Sequence, residues 1–181
     1  MRYSIFSDAL PGVTIICEAG ETLYARTGAM TRMMDAFEMK TTMRGGLIKG
    51  LGRVLTGGSL FLTRYTARLS GAEITFRAAL PGSILAFSLD GHRELICRKN
   101  AFLCAGEGIE LALAVNTLKA GLFGGEGFIM QRIKGRGLVF LELDGTVTEK
   151  TLAVNERLWV DTGSVAAFES SVRRTADTGP A

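Results

Sequence analysis

Residues 21–30 of the chain have the sequence ETLYARTGAM, and two later segments follow the same pattern: RELICRKNAF at 93–102 and ERLWVDTGSV at 156–165. Leucine stands at the third position of each segment, and two aromatic or aliphatic residues follow it. The eighth position is occupied by Gly28, Asn100 and Gly163, and glycine and asparagine are the residue types that tolerate a positive φ. The pattern therefore predicts one left-handed turn that is used three times.

Matching features flank these three segments. A turn glycine precedes each of them, namely Gly12, Gly82 and Gly145. Two glycine-bearing stretches, residues 57–76 and 124–140, follow the first and second segments, and we predict that they form matching hairpins. The chain is thus interpreted as a divergent repeat of roughly 65–70 residues, present two and a half to three times.

Apolar and polar residues alternate along most of the chain, which is typical of half-buried strands. Residues 73–78, EITFRA, are one example. Residues 83–89 and 138–143 are apolar at nearly every position, so we expect strands that are covered on both faces. Turns with glycine separate these runs at short intervals. The sequence predicts one all-β domain, a sandwich or barrel, over residues 1–172, and a flexible tail at 173–181.

One segment departs from the β pattern and predicts a short amphipathic helix. Its apolar residues recur at helical spacing, and its cations lie on the opposite face. The residues concerned are Leu47, Ile48, Leu51 and Leu55 on the apolar face, and Lys49 and Arg53 on the other. Such a helix either covers an open end of the β domain or lies on an anionic lipid surface. The first alternative is favoured, because two or three cations attract lipid only modestly.

Composition excludes several classes of protein. A hydrophobic content of 47% excludes a disordered chain, and the longest run without a charge, residues 78–89, is shorter than the ~18–20 residues of a membrane-spanning helix. The first twelve residues lack the pattern of a signal peptide or a mitochondrial presequence. The three cysteines show no C-x-x-C spacing, so we expect reduced thiols and a cytoplasmic location. A net charge of +3 is too small to indicate nucleic-acid binding by itself.

Candidate catalytic and metal-binding residues are few. His92 is the one histidine, so a metal site that needs several histidines is excluded, and we place His92 in an exposed turn. Cys97 and Cys104 lie on different predicted strands and are expected to be buried as small hydrophobic residues. No serine nucleophile motif occurs. We therefore predict a protein that is not an enzyme and has no cofactor.

For two further groups of residues, a functional hypothesis stands beside the structural interpretation. Glu107, Glu110 and Glu126 could form a carboxylate pair for acid–base chemistry, although solvated or turn-capping carboxylates are favoured. The glycine-rich loop, consisting of Gly121, Gly124, Gly125, Glu126 and Gly127, resembles a phosphate-binding loop. It lacks both recognised phosphate motifs, and Glu126 would repel an anion. A structural turn is favoured, with the rim of a small-ligand site and a subunit contact as alternatives.

A basic strip is the remaining candidate site. Arg132, Lys134 and Arg136 alternate along one predicted strand, and Arg64 and Arg68 lie on one face of the corresponding earlier stretch. If the repeats stack, these five cations could bind phosphates. Aromatic residues that would stack on bases are nearly absent from that face, which argues against nucleic acid. A solvated strand face is the favoured interpretation.

Motifs along nearly the whole chain resemble one known family. They are TGAM at 27–30, LPG at 80–82, FLCAGEGIEL at 102–111, GLFGGEGF at 121–128, GRGLVFLELDG at 135–145 and LWVDTGSVAAFESSV at 158–172. Together they are similar to the altered-inheritance-of-mitochondria family, and a bacterial member fits best. The chain departs from the family pattern at Asn155, where a glycine-glutamate turn is more common, but asparagine can keep the same turn.

The resemblance implies a double-stranded β-helix or a fold like that of the tryptophan RNA-binding attenuator protein (TRAP-like), built from repeated units and self-associated. It implies no catalytic residues, and it links the mitochondrial members to inner-membrane organisation. We expect a non-catalytic homo-oligomeric scaffold, with a trimer favoured, that contacts a protein partner or a membrane surface. Assembly would also pair strand edges that an open β unit leaves free. The alternative is a module that binds a ligand, anionic lipid or RNA through the basic strip.

Overall fold

The computed structural model describes residues 1–7, 9–43, 61–114 and 130–175, and these form almost only β structure. The strands are β1 (Arg2–Phe6), β2 (Gly12–Cys17), β3 (Thr22–Arg26), β4 (Met30–Met33), β5 (Phe37–Met43), β6 (Phe61–Ala67), β7 (Ala72–Arg77), β8 (Gly82–Asp90), β9 (Leu95–Arg98), β10 (Phe102–Gly106), β11 (Ile109–Ala114), β12 (Met130–Asp144) and β13 (Ala167–Glu169). Short 3-10 turns occur at Lys99–Ala101 and Thr162–Ser164. The all-β prediction is confirmed. The predicted helix at 47–55 lies outside the described residues, as does most of the predicted tail.

The strands form two antiparallel sheets that pack face to face. The smaller sheet has the order β1-β2-β7-β4, and the larger has the order β13-β9-β12-β10-β3-β6-β5, with β8 and β11 also paired to β12. Residues from both sheets share one hydrophobic core, which includes Ile15 and Phe76 from the smaller sheet and Leu23, Cys104 and Phe140 from the larger. The described part of the chain is therefore a sandwich, as one of the two predicted architectures required.

The long strand β12 organises the larger sheet. Its first part pairs with β9 and β11, and its second part pairs with β8 and β10. Gly135 and Gly137, both with positive φ, lie where these two parts meet. The hairpin predicted at 124–140 is wrong, because the glycines form a bend within one continuous strand and not a reversal of the chain. Residues 115–129 lie outside the described chain.

The other predicted hairpin, at 57–76, is also wrong. Strand β6 pairs with β3 and β5 in the larger sheet, whereas β7 pairs with β2 and β4 in the smaller sheet. The connection between them, which contains Gly71 with a φ of 79°, carries the chain from one sheet to the other. A period-two pattern identifies two strands but does not say which edge each of them pairs with.

Strand pairing follows the same plan in the two halves of the chain. In the first half β2 and β4 flank β7, and β3 and β5 flank β6. In the second half β8 and β10 flank the end of β12, and β9 and β11 flank its beginning. The register shifts once between Met30 and Arg32, and once at the corresponding place between Phe102 and Cys104.

The larger sheet is buried on both faces near its centre. One face lies in the core shared with the smaller sheet, and the other packs Phe102, Val139 and Leu141 against Leu95 and Ile133. The sequence 138–143 was predicted to be covered on both sides, and this is confirmed: Val139, Phe140 and Leu141 are fully buried. Every side chain of β10 is buried as well. The same prediction for 83–89 is wrong, because residues 85–87 are only half-buried and Ser88 is exposed, on a strand that pairs with β12 alone among the described strands.

The predicted left-handed turn occurs once in its three places. Gly28 has a φ of 85°, but neither Asn100 nor Gly163 has a positive φ. Instead these two residues lie in the 3-10 turns, which begin and end with closely similar backbone angles. The prediction is therefore wrong for Asn100 and Gly163, because a 3-10 turn reverses the chain without left-handed backbone. Asn155 does keep a turn, as predicted, and its backbone there is left-handed, with a φ of 65°.

Candidate functional site

Three residues of the basic strip surround the turn that joins β10 and β11. Arg64 on β6 lies 3.7 Å from the Glu107 carboxylate, and Lys134 on β12 lies 3.3 Å from that of Glu110. The backbone N–H of Arg136 donates to the carbonyl of Gly108 in the same turn. The larger sheet thus brings Arg64, Lys134 and Arg136 to one turn, together with two acidic residues. Glu107 and Glu110 serve here as partners of cations, while Glu126 lies outside the described residues.

The other two cations of the strip lie elsewhere. Arg132 forms an ion pair of 2.7 Å with Glu94, and Arg68 lies 3.6 Å from Asp35. Four of the five cations therefore have a carboxylate neighbour, and the fifth, Arg136, donates from Nε to the carbonyl of Asp90. Ion pairs at such exposed positions stabilise the fold little, but the carboxylates reduce the positive potential that a polyanion would meet.

Two further candidate sites lie outside the described residues. They are the amphipathic helix with Leu47, Ile48, Lys49, Leu51, Arg53 and Leu55, and the glycine-rich loop with Gly121, Gly124, Gly125, Glu126 and Gly127. Both stay predictions.

His92 lies in an exposed turn, as expected. The Asp90 side chain accepts hydrogen bonds from the backbone N–H groups of His92 and Arg93, and these bonds lower the pKa of Asp90. A shallow open cavity of about 210 Å³ adjoins this turn, lined by His92, Arg93, Glu94, Glu169, Ser170 and Ser171. Within the described ranges, no group of three histidine, cysteine or acidic side chains could hold a metal ion.

The three cysteines are free and buried. Burial raises the pKa of Cys17 to about 11 and that of Cys97 to about 12. The pKa of Cys104 is raised well above its ordinary value, first by burial and then by the neighbouring Cys17 and Glu142. The thiolate is the reactive form, so all three thiols are unreactive near neutral pH. The prediction that Cys97 and Cys104 are small buried residues is confirmed.

A partly buried ion pair joins the two halves of the chain. Arg26 at the end of β3 lies 2.8 Å from Glu142 on β12, and the backbone N–H of Ala79 donates to the same carboxylate. Burial raises the pKa of Glu142, and the guanidinium and the N–H offset only part of that effect. The arrangement ties the connection between β7 and β8 to the larger sheet, which is a structural role.

Exposed apolar side chains are concentrated in the segment after β12. We name residues 146–161 the arm. Val154, Leu158, Trp159 and Val160 are all exposed, although each is a large apolar residue. The turn within the arm is held by its own contacts: Ala153 and Glu156 exchange two hydrogen bonds, and Lys150 lies 3.1 Å from Glu156. Tyr3 and Ile5 on β1 form a second exposed apolar group.

Comparisons with known proteins agree with the motifs. The family model described as mitochondrial biogenesis AIM24 matches residues 3–178. The chain belongs to the AIM24 family. This is the altered-inheritance-of-mitochondria family that the sequence motifs indicated, so that prediction is confirmed. A search of curated proteins found no match.

A solved structure shows how the AIM24 chain compares in fold. The protein SPYM3_0169 from Streptococcus pyogenes matches with a TM-score of 0.61 and 21% sequence identity. The match covers 80% of this chain and 65% of that protein, so the AIM24 chain spans somewhat less than two thirds of it. At this identity the likeness supports the fold alone. In the described part of the AIM24 chain, no helix is long and apolar enough to cross a membrane.

Sequence reasoning missed the exposed arm and the Arg26–Glu142 pair. Glu142 offered a signal, since it is the one charged residue within the apolar run 138–143. The arm offered none, because Leu158 aligns with Leu23 and Leu95, which are both buried. Gln131 was also missed: it is fully buried, and neither polar atom of its side chain has a hydrogen-bond partner among the described residues.

Proposed function

We propose that this AIM24 protein is a non-catalytic scaffold that assembles from several copies of the chain. The observation that carries the proposal is the exposed apolar surface, above all Leu158, Trp159 and Val160 on the arm. Large apolar residues that are contiguous and exposed mark surfaces for protein contact. Membership of the AIM24 family supports a role related to mitochondrial biogenesis, and a link to membrane organisation is part of the proposal.

The paired state of the basic residues supports this proposal over the alternative. A module for RNA or anionic lipid needs cations that are free to displace counterions from phosphates. Here Arg64, Arg68, Arg132 and Lys134 each have a carboxylate within ion-pair distance. An interaction based on apolar contact is therefore favoured.

The proposal is tested by measuring the mass of the purified protein with light scattering at micromolar concentration. We expect an oligomer, with a trimer favoured, that persists at high salt because apolar contact is not screened. A monomer under these conditions would contradict the proposal. In parallel, the double substitution Arg132→Glu and Arg136→Glu should leave the mass unchanged. Retention of RNA or anionic vesicles by the original chain, with loss in the double variant, would favour the alternative.

A further inference from the structure

Two strands of the larger sheet show how the segments with the shared sequence pattern are used. Strand β3 contains Leu23 and pairs with β10, so that Ala25 lies opposite Cys104. Strand β9 contains Leu95 and pairs with β13, so that Cys97 lies opposite Ala167. Ala25 and Cys97 occupy the fifth position of the first and second segments. Their partners Cys104 and Ala167 each lie seven residues after the fifth position of the following segment, which is Cys97 and Val160 respectively. One pairing rule thus applies twice, with the same register.

The third segment does not follow this rule within its own chain. Its strand positions are Leu158, Trp159 and Val160, which are 53%, 54% and 47% exposed, whereas Leu23 and Leu95 are 0% and 4% exposed. No strand among the described residues pairs with them. The turn that follows, Thr162–Ser164, nevertheless has nearly the same backbone as Lys99–Ala101 after β9. The third segment therefore ends in the same kind of turn as β9 but has no strand partner among the described residues.

In the described part of the sheets, strand β4 lacks the second neighbour that the corresponding strand β10 has. In the first half of the chain, β4 corresponds to β10, because each carries the same register shift against its partner. Strand β10 is flanked on both edges, by β12 and β3. Strand β4 stands at the edge of the smaller sheet and pairs only with β7 among the described strands. Its free edge is the position that a segment of the β3 type would fill.

We propose that Leu158, Trp159 and Val160 pair in antiparallel fashion with the free edge of β4 in a second copy of this chain. The rule that joins β3 to β10 then sets the register, with Val160 opposite Arg32 and Leu158 opposite Met34. This inference rests on the proposed assembly and names the surface that forms it. It also covers an exposed edge strand, which proteins otherwise protect against unwanted pairing.

The side chains brought together by this register are complementary. Trp159 lies opposite Met33 on one face of the strand pair, and Leu158 lies opposite Met34 on the other face. Methionine sulfur makes favourable contacts with aromatic rings. Met34 is itself one of the large apolar residues exposed on the surface. One position further along, Arg157 faces Asp35, whose carboxylate is fully exposed and only 3.6 Å from one cation, Arg68. Opposite charges at directly paired positions favour the pairing of two strands.

A disulfide test distinguishes pairing between chains from pairing within one chain. One chain carries Val160→Cys and another, with a different tag, carries Arg32→Cys; the two are co-expressed and mildly oxidised. Directly opposite cysteines are close enough to bond. The three natural cysteines are buried and contribute little. The matched control replaces Val160→Cys with Val154→Cys, which is exposed on the same arm but lies out of register.

We expect a disulfide-linked pair of differently tagged chains, which the control does not give. A bond that forms only when both cysteines are placed in one chain would overturn the inference, because the arm then closes on its own β4. An oligomer by light scattering that yields no bond in either arrangement also overturns it, while the proposed assembly stands. A monomer by light scattering contradicts both.

The natural chain offers an independent readout, since Trp159 is its one tryptophan. Dilution from micromolar to low nanomolar concentration should shift its fluorescence to longer wavelength as the arm becomes solvated. Leu158→Asp should give the solvated spectrum at every concentration, with the β circular dichroism retained. Leu80→Asp, at an exposed apolar residue in the connection between β7 and β8, is the control and should behave like the natural protein. A solvated spectrum in an oligomeric natural protein would refute the inference.

Discussion

The strands that contain Leu23 and Leu95 and the arm that contains Leu158 have the same sequence pattern and opposite environments. The first two are flanked by neighbouring strands on both edges, and their leucines are buried in two different cores. The third ends in the same kind of turn as the second, yet its apolar side chains face solvent. The difference teaches that local sequence sets the form of a segment, while burial depends on whether another strand is there to receive it.

The largest contrast is expected between leucine substitutions in the two regions. Leu23→Ala should lower the free energy of unfolding by about 2–5 kcal/mol at every protein concentration, because it leaves a cavity in a closed core. In dilute protein, Leu158→Ala should change the free energy of unfolding by less than about 0.5 kcal/mol. It should have an effect only at concentrations where the chains associate. Urea unfolding at two protein concentrations measures this, and an equal loss at both for Leu158→Ala would show that the leucine packs within its own chain.

The bend in β12 lies within the larger sheet, and the arm has no corresponding feature. A Cβ atom at Gly135 would overlap the carbonyl oxygen of Gly108, and its φ of 114° disfavours other residues. Gly135→Ala should therefore lower the free energy of unfolding through two effects. Atomic overlap should account for about 1–3 kcal/mol and backbone strain for about 1–2 kcal/mol. Gly20→Ala, at a φ of 85° with open space around it, should incur only the strain. Equal losses in thermal or urea unfolding would mean that the bend tolerates a side chain.

The smallest expected effect concerns the Arg26–Glu142 ion pair, which joins the two halves of the chain. The pKa of Glu142 is raised in the folded protein, so its stabilising contribution is full below the ordinary carboxyl pKa. That contribution is lost as the pH rises through the ordinary value to the raised one. Glu142→Gln should flatten this decline when unfolding is followed as a function of pH.

Glu38 provides a control of the opposite sign. A hydrogen bond and ion pair with Lys40 lower the pKa of Glu38. Its contribution to stability is therefore present above the ordinary carboxyl pKa and is lost as the pH falls through the lowered value. Glu38→Gln should remove stability at neutral pH and not below the lowered pKa. The same pH slope in both variants would show that the burial of Glu142 has no influence on its titration.

Much of the fold could be predicted from the sequence. Alternation in residues such as 73–78, and continuous apolar runs such as 138–143, identified strands and the strand that is covered on both faces. The motifs indicated the family, while the repeat drawn from the three similar segments stays a prediction. The predicted hairpins failed, because Gly71 and Gly135 allow a change of sheet or a bend as readily as a reversal.

The candidate site was less predictable. The spacing of Arg132, Lys134 and Arg136 placed cations on one strand, but the carboxylates of Glu94 and Glu110 reach them from strands that are distant in the sequence. Such ion pairs depend on register, which alternation leaves open. The same limit applies to Arg26 and Glu142. Their strands, β3 and β12, both flank β10 in the larger sheet, and this placement brings the two side chains within ion-pair distance.

By itself the sequence determined the class of fold, the positions of most strands, the turn at Asn155 and membership of the AIM24 family, because periodicity, turn chemistry and motifs are local properties. The tertiary structure alone decided which strands are neighbours. That decision buries Leu23 and Leu95, pairs the basic residues with acids, and leaves Leu158, Trp159 and Val160 exposed. Pairing is a relation between distant parts of a chain, or between chains, and hydrophobic burial follows from it.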